Sequence, residues 1–216
     1  MTDSNYTHVL FILDRSGSMD SIVNDANGGV ETLLKEQAEQ PGKIAVDVVT
    51  FDTLLDWPYE NVHPSKVKGP LIVPRGGTAL NDAIGVGVVK LGEYLAALPE
   101  EKRPGAVIVV IVTDGEENSS REYTHAMVKE LVTKQTNEFG WNFVYLAANV
   151  DAFATGAGYG ISKGSTMNFA PSAAGVTNSY AATSRNISGL RTSMSAGITG
   201  QTITFDDTDR DEAMEE

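Results

Sequence analysis

Val9-Leu10-Phe11-Ile12-Leu13-Asp14-Arg15-Ser16-Gly17-Ser18-Met19 sets an unbroken apolar run directly against a carboxylate, two hydroxyls and a glycine. Apolar residues in sequence without alternation fit a strand buried on both faces, the condition of a parallel strand covered by helices. Asp, Ser and Gly after it are the residues of a tight loop, because they bond to nearby backbone or turn without a clash. Taken alone, residues 14–18 read equally well as a turn and helix cap.

Outward from this unit the pattern repeats. Ile44 to Phe51, Ala106 to Val112 and Phe143 to Ala148 are further apolar runs that read as strands. Between them Val23, Ala26, Val30 and Leu33 have helical spacing, as do Leu80, Ile84, Val88, Leu91, Leu95 and Leu98, and then Tyr123, Met127 and Leu131. Ser119 to Glu122 fits a capping box and predicts Ser119 as the N-cap of the third helix. Prolines at 58, 64 and 70 make the stretch from Leu54 to Val73 short edge strands and loop. Residues 156–200 are rich in Gly, Ala, Ser and Thr, yet Val176, Tyr180, Thr183, Ile187, Leu190 and Met194 keep a helical period and predict a last helix. Alternating strands and helices predict an α/β sandwich with a mostly parallel sheet. One domain over residues 1–200 is expected, followed by a mobile acidic tail over 201–216.

Composition narrows the function. The chain of 216 residues carries 16 basic and 29 acidic residues, a net charge of -13, which opposes binding to nucleic acid or anionic lipid. Seven acidic residues and one Arg fall between Asp206 and Glu216, so the folded part is only mildly acidic. The absence of cysteine removes disulfides, thiolate nucleophiles and cysteine-rich zinc sites. The start MTDSNYTH has no secretion-signal pattern and no apolar run approaches a membrane span, so a cytoplasmic protein is expected.

In open α/β sheets ligands collect outside the carboxyl ends of the strands. There the first strand delivers Asp14, Ser16 and Ser18, and the third long strand delivers Asp114 before Gly115. Thr78, after Gly76-Gly77, precedes the second helix. Two carboxylates and three hydroxyls are an all-oxygen set suited to a hard divalent cation, with Mg2+ the natural occupant and Mn2+ an alternative. An ion that keeps an open coordination position can take an acidic group from outside. Arg75 and Glu116 are candidate rim residues. Asp82 in the first turn of its helix is explained by the helix dipole.

Asp14-x-Ser16-x-Ser18, Thr78 after a Gly-Gly turn and Asp114-Gly115 resemble, in order, the von Willebrand factor type A (vWA) domain and its metal-ion-dependent adhesion site (MIDAS). The resemblance runs from about residue 6 to about residue 195. It implies a Rossmann-like three-layer sandwich, with a six-stranded sheet, one short antiparallel edge strand and helices on both faces. It further implies that Ser16, Ser18 and Thr78 contact the ion through hydroxyls, while Asp14 and Asp114 act directly or through water. An intracellular bacterial or phage-type member is the better match, since bracketing cysteines and a secretion signal are missing. The implied role is a non-catalytic module that grips an Asp or Glu of a protein partner, such as an AAA-type ATPase. The alternatives are a structural subunit of a phage particle or other assembly, and a Mg2+-dependent phosphoryl-transfer enzyme. The last lacks a GxxxxGK loop and a second carboxylate beside Asp14.

Overall fold

The computed structural model of the chain describes residues 2–216. The strands are β1 (Asp3–Asp14), β2 (Lys43–Phe51), β3 (Leu55–Val62), β4 (Pro104–Thr113), β5 (Asn142–Ala147) and β6 (Thr166–Asn168). The helices are α1 (Val23–Glu39), α2 (Leu80–Ala97), α3 (His125–Phe139), α4 (Ala152–Gly158), α5 (Ala173–Ser195) and α6 (Asp207–Ala213). One six-stranded sheet runs in the order β3-β2-β1-β4-β5-β6. Every neighbouring pair is parallel except β2 with β3, the antiparallel edge. Among the described residues no helix is long and apolar enough to cross a membrane.

Alternation along the buried strands divides the core into two layers. Val9, Phe11 and Leu13 of β1, with Ile108 and Val110 of β4, meet Val30 and Leu33 of α1 and Val176, Tyr180 and Ile187 of α5. Leu10 and Ile12, with Val109 and Ile111, meet Ile84 and Val88 of α2 and Val128 and Val132 of α3. Both faces are covered, which is why these strands read as continuous apolar runs. The predicted sandwich, antiparallel edge and late helix are all present.

Three local expectations are corrected. Ser119 is not a helix cap: its N–H donates to Glu117 Oε1 (2.9 Å) within a loop, and Thr124 caps α3 by accepting from the Met127 N–H. The buried stripe of α3 is Val128 and Val132, while Met127 faces solvent. Residues 201–216 are not a free tail. Ile203, Phe205 and Ala213 are buried in the α1–α5 layer, Asp206 and Asp209 form a capping box, and Asp209 pairs with Arg185 at 2.7 Å. Asp207 and Asp209 sit in the first turn of α6, so part of the acidic run complements the helix N-terminus.

Candidate metal centre

β1 and β4 lie side by side in register, Leu13 opposite Val112, so their last residues open on the same edge of the sheet. Asp14 is fully buried, and both its oxygens are held. Oδ1 accepts from the Ser16 N–H and Oδ2 from Thr113 Oγ1, each at 2.6 Å. From there hydroxyls continue outward. Ser16 Oγ lies 3.0 Å from Ser18 Oγ, and Ser18 Oγ donates to Asp114 Oδ1 at 2.6 Å. Ser18 is exposed, so the chain of oxygens runs from one buried carboxylate to the other and meets solvent at Ser18.

Thr78 arrives from a different direction, on the connection between β3 and α2. Its N–H donates to Asn118 Oδ1 (2.9 Å), and its carbonyl accepts from the N–H groups of Asn118 and Ser119. The three loops meet at Gly115. A Cβ there would start 3.4 Å from Ser18 Oγ and 3.6 Å from Thr78 Oγ1, so both hydroxyls border one small space. The backbone of the first loop is bound to the second, with the Arg75 N–H donating to the Arg15 carbonyl (2.8 Å) and the Gly17 N–H to the Gly76 carbonyl (3.2 Å). Gly76 adopts φ 66°, a left-handed conformation that favours glycine.

The electrostatics fit a cation. Asp114 Oδ2 is buried and has no hydrogen-bond donor among the described residues. A buried acceptor without a partner costs about 1–3 kcal/mol, more when charged, and a carboxylate oxygen is satisfied by an ion as well as by a donor. Burial pushes the Asp14 carboxyl up to about 6 against the bonds from Thr113 and Ser16, and the nearby charge of Asp114 adds to the rise. Burial also raises Asp114, with the Ser18 hydroxyl opposing. Two carboxyls made reluctant to ionise chiefly by burial are the pair a divalent ion would return to the charged form. No group of three His, Cys, Asp or Glu suited to a metal occurs among the described residues, so hydroxyls would have to complete the ligand set. Such a set suits a hard ion.

The structure therefore brings Asp14, Ser16, Ser18, Thr78 and Asp114 to one edge. The two rim candidates diverge. Glu116 is exposed beside Gly115. Arg75 is not a free clamp: its Nε donates to Asp52 Oδ2 at 2.7 Å and its Nη2 to Asp56 Oδ2 at 3.3 Å. Asp82 does more than meet a helix dipole, since it accepts from the N–H groups of Arg121, Glu122 and Tyr123 and fixes the loop after Asp114. Glu117 is turned inward, accepting from the Asn81 N–H (2.7 Å) and Ser120 Oγ (2.7 Å). Sequence reasoning passed over Thr113 and Asp52. Asp52 carries the signal that marks Asp14 and Asp114, a carboxylate directly after a buried strand.

Asp52 is buried and shares Oδ2 between Arg75 and Arg15, whose Nε donates at 2.8 Å, while Oδ1 accepts from the Leu54 N–H. Burial alone would raise its pKa. The bond from Arg75, the Leu54 N–H and the charge of Arg15 together outweigh burial and hold it below the ordinary carboxylate value.

No protein-family model matches the chain, and no curated protein matches it in sequence. Solved structures do match. A variant of the PilB minor pilin from Streptococcus sanguinis aligns with TM-score 0.58 at 14% identity, over 88% of this chain and 62% of that one. A von Willebrand factor type A protein from Catenulispora acidiphila gives 0.57 at 14%, over 85% and 42%. Proximal thread matrix protein 1 from the mussel byssus, with a zinc-occupied MIDAS motif, gives 0.55 at 16%, over 88% and 46%. The chain thus spans about half the length of the solved chains it resembles, and the likeness establishes a vWA-type fold.

Proposed function

We propose that this chain is a metal-dependent interaction module that binds Mg2+ through Asp14, Ser16, Ser18, Thr78 and Asp114, and through the ion an acidic side chain of a protein partner. The observation that carries the reading is the buried, unpartnered Oδ2 of Asp114, placed at the end of a hydroxyl chain that reaches solvent at Ser18. The zinc-occupied MIDAS of the mussel protein supports it by analogy of fold. When bound, the ion supplies a positive centre for an incoming carboxylate.

The chain's own residues do the rest. Thr113 and the Ser16 N–H orient the Asp14 carboxylate, and the Ser18 hydroxyl orients that of Asp114. The exposed position of Ser18 leaves one side of the site open to a partner. A non-catalytic role is supported by the full burial of Asp14 with both oxygens engaged, which argues against Asp14 as a nucleophile for phosphoryl transfer. An AAA-type ATPase is the partner class the MIDAS resemblance suggests, and the cysteine-free chain suits the cytoplasm of a bacterium or phage-infected cell.

Calorimetry with Mg2+ tests the site. Binding of one ion by the wild type and none by Asp14→Ala is expected; equal binding by both refutes the ligand set. A partner presenting Asp or Glu should be retained with Mg2+ or Mn2+ and released by EDTA. A second reading, a subunit of a larger assembly, draws on the minor pilin and thread matrix protein among the similar structures. It predicts a Mg2+-dependent change in oligomeric size by size-exclusion chromatography.

A further inference from the structure

Of the five proposed ligands, four are placed by the sheet: Asp14 ends β1, Ser16 and Ser18 follow it, and Asp114 follows its hydrogen-bonded neighbour β4. Thr78 follows no strand. Beyond the direct Arg75–Arg15 and Gly17–Gly76 backbone bonds, its loop is tied to the first one through Asp52, which follows β2. The Asp52 carbonyl accepts from the Ala79 N–H at 2.8 Å, just beyond Thr78. Its carboxylate bonds Arg75, just before the Gly76-Gly77 turn, and Arg15, which stands between Asp14 and Ser16.

Charge makes this arrangement more than a strut. Arg15 is a nearly buried guanidinium one residue from each of two proposed ligands, and Arg75 adds a second positive charge on the loop that carries Thr78. Both would repel a divalent cation, and burial weakens the screening of Arg15 by salt. Opposing them are Asp52 and Asp56: Asp52 Oδ2 touches both guanidiniums at 2.8 and 2.7 Å, and Asp56 Oδ2 lies 2.6 Å from Arg15 Nη1 and 3.3 Å from Arg75 Nη2. Two arginines and two aspartates sum to zero. Removing the Asp52 charge leaves the cluster at plus one, and removing the Arg75 charge as well restores zero.

We propose that Asp52, which is not itself a ligand, is the counter-charge that lets the metal centre accept a divalent cation beside Arg15 and Arg75. This rests on the metal reading above. It assigns to Asp52 a positioning and electrostatic role exerted through the two arginines.

The test is Mg2+ affinity by calorimetry, at low salt, for the wild type, Asp52→Asn, Arg75→Gln and the double variant, with circular dichroism to confirm folding. Asp52→Asn should weaken Mg2+ binding about tenfold or more. The double variant should recover to within about threefold of the wild type, and Arg75→Gln alone should bind at least as tightly as the wild type. Equal affinity in Asp52→Asn and wild type overturns the proposal, as does a double variant as weak as Asp52→Asn, which would make Asp52 a purely structural tie. If Asp52→Asn does not fold, Arg75→Gln decides: weaker binding than wild type overturns the counter-charge role. A wild type that binds no Mg2+ defeats the metal reading itself, an outcome visible before any variant is compared.

Discussion

Asp14 couples the charge state of the centre to the stability of the fold. Its carboxyl, raised to about 6 by burial, keeps its proton in the native state at pH values where an unfolded Asp, near 3.9, has lost it. Between those values the native state binds the extra proton, so stability falls as pH rises from about 4 to about 6 and the loss is complete above that window. In EDTA, the wild type should therefore be more stable at pH 5 than at pH 7 by about 1 kcal/mol, and melt at a correspondingly higher temperature. Asp14→Asn should flatten that dependence, and saturating Mg2+ should offset the loss at pH 7. A wild type in EDTA whose melting temperature rises with pH across this window would contradict the burial argument. These ligand residues were legible in sequence because each is a polar residue type at a strand or turn end. Thr113 was not, since a threonine closing a β-branched run looks like strand until its hydroxyl is seen 2.6 Å from Asp14 Oδ2.

At the scale of elements, helix α1 is joined to α5 by contacts that a single dipeptide exposes. Gly29 faces Tyr180, and a Cβ there would lie 2.4 Å from Tyr180 Cδ2 and 2.9 Å from Cγ; Gly28 faces open space. Gly29→Ala should destabilise by about 1–3 kcal/mol through overpacking. Gly28→Ala should stabilise by about 0.5–1 kcal/mol through helix propensity. Chemical denaturation of the two variants checks the opposite signs, and equal effects would show that Tyr180 yields without cost. The long elements were readable because period and burial agree over several turns or a continuous run. Three were not: β6 spans three residues and α4 and α6 seven each, too short for a period to show. The start of α3 was misplaced for a related reason. Ser119 and Glu122 have capping-box spacing, but Glu117 and Asp82 claim the N–H groups of that segment for the loop below the centre.

For the whole molecule, the correction at the C-terminal end matters most. Ile203 and Phe205 are buried among residues from the sheet and α5, and the Ala213 carbonyl accepts from the Ala170 N–H at 2.8 Å. Removing residues 201–216 should lower stability by roughly 3–6 kcal/mol from the two larger side chains alone. Thermal unfolding of the truncated chain checks this, and an unchanged midpoint would return the segment to the status of a free tail. Its sequence hid the packing because two apolar residues two apart, ahead of a run of acids, resemble composition-driven disorder more than a docking segment. The two-layer core, by contrast, follows from four apolar runs and the helices between them.

Because β1 keeps one register from Thr7 to Leu13 against both β2 and β4, the length of that stretch works as a ruler for the chemistry at its end. Inserting or deleting one residue between Val9 and Leu13 would turn Asp14 toward the opposite layer, away from the hydroxyl of Thr113. Changes of length are thus confined to the surface connections, while the strand that carries the first carboxylate must keep its count.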